Sequence, residues 1–168
     1  MKYAILFVVL LAVASCGWAV DADAPYQPLM LYNGTWRVTP LHAAKPDILV
    51  NHCERTGKFY SCEQTVNGKT AALVVFVPAE LPGHYYSQAI LPDGHATGRG
   101  DLQITGNRWV YSSKDVEGPK TTYYRTINVF TGKDRIHFDS QTSLDGTQWK
   151  TTQSGDEQRM PATRNGSK

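Results

Sequence analysis

The chain has 168 residues, 41% apolar and 11% aromatic, with 17 Lys+Arg against 15 Asp+Glu. That length suits one domain rather than two, the composition excludes a disordered chain, and a net charge of +2 gives no electrostatic case for a nucleic-acid partner. The three cysteines are an odd number that must be explained.

The first segment reads as an export signal. Met1-Lys2-Tyr3 is a short basic start, and residues 4–14 form an unbroken apolar run, AILFVVLLAVA. The run is about half of what a transmembrane helix needs and matches the apolar core of a signal peptide. Two processing sites compete. Ala12-Val13-Ala14 suits ordinary cleavage before Ser15. Val13-Ala14-Ser15-Cys16 resembles a bacterial lipobox, which would make Cys16 a lipid-modified first residue. Either way Cys16 stops being a structural thiol. Loss of the leader removes one cation, Lys2, so the remainder is near neutral, which argues against a polybasic membrane contact. The expected organisation is a signal peptide over 1–15, a tether over 16–30, a β domain over 31–160 and a disordered tail over 161–168. The expected location is the periplasm, the outer membrane through lipid on Cys16, or outside the cell.

From there the chain reads as strand after strand. The candidates are 34–40, 47–54, 59–66, 70–77, 84–91, 96–105, 108–115, 121–130, 134–143 and 148–153, with a short last strand at 157–160. Turn signals punctuate them: Asn67-Gly68, Pro82-Gly83, Asp93-Gly94, Gly106-Asn107, Gly118-Pro119, Gly132-Lys133 and Asp145-Gly146. Asn-Gly and Asp-Gly favour the turns that join adjacent antiparallel strands. No window combines capping residues with a helical apolar period. The prediction is an all-β, antiparallel up-and-down barrel of about 8–10 strands, since closure removes the exposed edges of so long a meander.

Cys53 and Cys62 flank a predicted hairpin around Gly57-Lys58. Cysteines opposite one another across a hairpin reach disulfide distances, and an exported chain meets an oxidising compartment. A metal is not expected there, because His52 and Cys53 point to opposite faces of a strand.

Alternation within the strands is mixed. In 121–130, Tyr124, Asn128 and Phe130 share one face, while Tyr123, Arg125, Ile127 and Val129 share the other. Polar side chains recurring beside apolar ones suit a barrel with a partly polar lumen, wide enough at this strand number for one small ligand. The residues proposed to line it are Tyr86, Trp109, Tyr111, Tyr124, Arg125, His137 and Phe138.

Gly34-Thr35-Trp36 resembles the Gly-x-Trp signature that opens the first strand of lipocalins and other calycin barrels. The run from there to Ser143-Leu144-Asp145-Gly146-Thr147-Gln148-Trp149 is similar to exported bacterial lipocalin-like proteins of unknown function. The resemblance spans about 31–160. It implies a barrel closed at one end by Trp36 under an arginine of the last strand, for which Arg159 is the positional match, held as a cation against a ring face. The chain lacks the long first loop of most lipocalins and their helix before the last strand.

Signals for catalysis are weak. His42, His52, His84, His95 and His137 form no spaced ligand motif, no serine or cysteine sits in a nucleophile elbow, and the glycine-rich stretch at 94–100 precedes no helix. No catalytic residue, metal or cofactor is assigned. The reading is an exported binder of a small, partly apolar molecule. The competing readings are a ligand-free structural or protein-interaction module of the cell envelope and, third, a small envelope enzyme. Protein partners are not specified.

Overall fold

The structure is a computed structural model, and it describes residues 22–43 and 45–161. Cys16 and the apolar leader lie outside the described residues, as does most of the C-terminal tail. Ten antiparallel strands close into one barrel: β1 (Gly34–Pro40), β2 (Asp47–Thr56), β3 (Phe59–Val66), β4 (Lys69–Pro78), β5 (His84–Ile90), β6 (Gly100–Thr105), β7 (Arg108–Glu117), β8 (Lys120–Thr131), β9 (Arg135–Ser143) and β10 (Lys150–Arg159). Each strand pairs with its neighbours in sequence, and β1 pairs with β10 to close the ring. No helix among the described residues is long and apolar enough to cross a membrane.

The turn chemistry explains the meander. Asn67 and Gly68 both have positive φ, 52° and 77°, the two-residue turn whose twist matches paired strands. Two departures from the sequence pattern have local causes. The stretch 96–99 stays outside β6 and joins β5 through an isolated bridge between Ile90 and Ala96 and the bonds of Thr97. The predicted strands at 148–153 and 157–160 are one strand, β10, because a bulge between Thr151 and Gln153 absorbs an extra residue without ending the pairing.

Cross-strand register settles which side chains face inward, since successive residues alternate between faces. Trp36 lies opposite Leu49 and Arg159, Cys53 opposite Cys62, Tyr60 opposite Phe76, Tyr85 opposite Leu102, Trp109 opposite Asn128, and Phe130 opposite Ile136. Most of these are buried, and they form the core at one end of the barrel. Cys53 and Cys62 are disulfide-bonded with Cα atoms 4.0 Å apart.

That end is sealed from outside. Residues in the stretch read as a tether instead form two short 3-10 turns, Ala24–Tyr26 and Pro28–Tyr32, that bury Tyr26 and Leu29 against the core. Tyr85 donates its hydroxyl hydrogen to the Pro25 carbonyl at 2.6 Å. Arg159 binds the Asn33 carbonyl at 2.6 Å, the Leu31 carbonyl and the Lys133 carbonyl at 3.0 Å, while its guanidinium lies 4.2 Å above the Trp36 ring. One arginine therefore ties the plug, the last strand and the β8–β9 turn together. Gly34 makes room for it: φ is +118°, and a Cβ there would meet Arg159 Nη1 at 2.9 Å.

Candidate functional site: the open mouth of the barrel

Size, rather than polarity alone, separates the two ends. From the sealed end to the other, inward residues shrink along β4, β5, β6 and β7. On β7 the series is Trp109, Tyr111, Ser113; on β6 it is Leu102, Gly100; on β5 it is Tyr85, Ser87, Ala89; on β4 it is Phe76, Val74, Ala72. The result is a cavity of about 530 Å³ at the mouth, lined by inward residues including Val74, Ser87, Ala89, Gly100, Tyr111, Tyr124 and Thr126, and also by the outward-turned Gln88, Ser112, Lys114 and Arg125. The β5–β6 connection forms part of the wall through Leu91, His95 and Thr97. It is pinned rather than loose, because Thr97 exchanges bonds with Ala89 and accepts the Gln88 side-chain amide at 2.7 Å.

Beneath the mouth lies a polar layer. Glu157, Asn51 and Asn128 are buried and face inward by register. Gln64 Nε2 donates to Asn51 Oδ1 at 2.8 Å, Asn51 Nδ2 donates to the Tyr32 carbonyl at 3.1 Å, and the Tyr32 hydroxyl donates to Glu157 Oε1 at 3.4 Å. Burial pushes the Glu157 carboxyl up to about 7, partly opposed by the Tyr32 hydrogen bond. Burial, and then the nearby Glu157 charge, push the Tyr32 and Tyr111 hydroxyls well above the usual phenol range. At the rim, backbone amides of Gln148 and Thr147 with the Ser143 hydroxyl hold Asp145 well below the usual carboxylate range, which fixes the β9–β10 turn.

The residues singled out from sequence divide between the two faces. Trp109, Tyr111, Tyr124 and Phe138 turn inward; Trp109 and Phe138 are buried in the packing, whereas Tyr111 and Tyr124 line the cavity. Tyr86, Arg125 and His137 turn outward by register, each sitting one residue from an inward neighbour, although Arg125 still lines the cavity. Tyr86 carries the Arg99 guanidinium at 4.4 Å, and Arg125 stacks at 4.0 Å on Trp149 while bonding Gln141. Outside the barrel, His137 Nδ1 lies 2.8 Å from Asp156 and Nε2 lies 3.5 Å from Ser154 Oγ. The order resembles nucleophile, base and orienting acid. These contacts are exposed on the outer face, apart from the cavity at the mouth.

Sequence reading missed Glu157, Tyr32, Asn51 and Gln64. A signal for Glu157 was present: it is two residues from Arg159, so any register that turns Arg159 under Trp36 turns Glu157 inward too.

No family model matches the chain, and no curated protein matches it. Among solved structures, the crystal structure of Rv2717c from M. tuberculosis is similar, with a TM-score of 0.51 and 14% identity over 82% of this chain and 98% of that one. At that identity the likeness speaks for the fold alone, a closed antiparallel β-barrel.

Proposed function

We propose that this protein is an exported, lipocalin-like barrel that binds a small, partly apolar molecule in its open mouth. The observation that carries the reading is the cavity of about 530 Å³, of the size and partly apolar lining expected of a small-molecule site. Tyr111 and Tyr124 would supply aromatic walls, and Ser87 and Thr126 polar contacts. Placement among calycin barrels is supported by the Gly34-x-Trp36 start and the Arg159 guanidinium over Trp36. Export rests on the leader at 1–15, with Cys16 as a candidate lipid anchor; labelled palmitate incorporation, compared with Cys16→Ser, tests the anchor.

Native mass spectrometry of protein purified from its own host should show an added small mass that unfolding releases. Repeated bare mass, together with no saturable binding of the fluorescent probe anilinonaphthalene sulfonate, would overturn the reading. One feature favours the envelope-interaction alternative. Leu73 opposite Ile90 and Val77 opposite Tyr86 form an exposed apolar strip on the outer face of β4 and β5.

A further inference from the structure

Two buried acceptors have no hydrogen-bond partner among the described residues: Asn128 Oδ1 and Glu157 Oε2. Their residues are 3% and 6% exposed. Register turns both into the lumen, Asn128 opposite Trp109 and Glu157 opposite Val38 and Ile136. An unpaired buried acceptor is costly and uncommon, so each calls for an occupant. The hydrogen bonds of the layer do not reach them: the Tyr32 hydroxyl is directed at Glu157 Oε1, Asn51 Nδ2 at the Tyr32 carbonyl and Gln64 Nε2 at Asn51 Oδ1.

Neither Asn128 nor Glu157 lines the cavity itself, but each neighbours a residue that does. Thr126 lines the cavity, and Asn128 is the next inward residue down the same strand, about 7 Å deeper. Tyr111 also lines the cavity and is close enough to Glu157 for its hydroxyl to sense that charge. Both acceptors therefore lie deeper than the apolar and aromatic walls of the mouth, one inward position past Thr126 on β8 and beside Tyr111.

We propose that the ligand carries a primary amine at its buried end, with the ammonium reaching Glu157 and Asn128 past Tyr111 and the apolar part filling the mouth. The proposal rests on the small-molecule-binding reading above and specifies its ligand class. An ammonium has three donors and no acceptor, the complement of this layer, whereas an alcohol brings one donor. A carboxylate would bring a like charge against Glu157 into a site with little water, where opposition is least screened. A buried cation, in turn, needs the paired anion that Glu157 provides.

The test compares octylamine, octanol and octanoate, titrated calorimetrically into the full chain and into Glu157→Gln. The expected result is octylamine at least tenfold tighter than octanol, with octanoate weakest. Glu157→Gln should bring octylamine to the octanol level, and Asn128→Leu should act in the same direction. Asp115→Asn at the mouth should leave the ranking intact, which separates the deep acceptors from a rim carboxylate. Equal binding of all three, preference for octanoate, or amine selectivity that survives Glu157→Gln would overturn the amine assignment while leaving a binding barrel. Binding by none of the three would overturn the binding reading itself, and the amine assignment with it. The ranking is read on the unmutated chain, so a variant that fails to fold does not shelter the proposal.

Discussion

The sealed end and the open mouth are built from the same strands in the same alternation, yet one is a core and the other a container. The difference lies in the size of the inward residues. Trp36, Tyr60, Tyr85, Trp109 and Phe130 fill the sealed end, and the segment from Ala24 to Tyr32 caps it. Glycine, alanine, serine and threonine at the equivalent inward positions of the mouth leave space that no neighbouring side chain fills. Between them, the Glu157 layer belongs to neither: it is buried like the core and polar like the mouth. Stability should therefore concentrate at one end, and binding at the other.

The largest test of this division is Trp36→Ala. Trp36 has 0% exposure and supports Arg159, so the substitution should cost about 3–5 kcal/mol in denaturant unfolding; a loss below about 1 kcal/mol would mean the sealed end is not the core. Next is Glu157→Gln, read against pH. Native burial raises the Glu157 carboxyl from 4.5 to about 7, so the unfolded chain ionises it first. The wild type should lose stability as pH rises from about 4.5 to 7 and be flat beyond, with Tyr32 and Tyr111 as the facing groups. The Gln variant lacks that slope and should gain on wild type by about 3 kcal/mol between pH 4 and pH 8. A parallel pH dependence in both proteins would place Glu157 in water.

The Cys53–Cys62 bond closes a short loop at the sealed end. Replacing both cysteines with alanine should cost about 2–3 kcal/mol and leave mouth binding unchanged; mass analysis before and after reduction verifies the bond in the parent. The smallest expected effect on stability is Ala89→Trp, which fills the mouth. It should shift stability by less than about 1 kcal/mol yet weaken octanol binding at least tenfold. The reverse pattern would erase the distinction between the ends.

Much of the architecture was legible without coordinates. Strand spacing and turns such as Asn67-Gly68 give the meander, and the Cys53 and Cys62 spacing gives a bonded hairpin. The cavity was not legible, because a lumen is defined by register and register is a long-range property. Tyr86 and Tyr85 are chemically alike, yet pairing with Leu102 turns Tyr85 inward and leaves Tyr86 outside. Arg125 and His137 follow the same logic on β8 and β9. The gradient from Trp109 to Ser113 stands in the sequence as plain letters, but it has meaning only once β7 is known to run from the sealed end to the mouth. The bulge at Thr152 hid the continuity of β10 and so the place of Glu157.

The most direct test of a mouth that binds above an end that does not is an amide NMR titration with octanol. The account predicts saturable shifts confined to the mouth, at Ser87, Gly100, Tyr111, Tyr124 and Thr126, with Trp36, Tyr60 and Leu102 unmoved. Saturable shifts instead along Leu73, Val77, Tyr86 and Ile90, or no saturable shift anywhere, would contradict it.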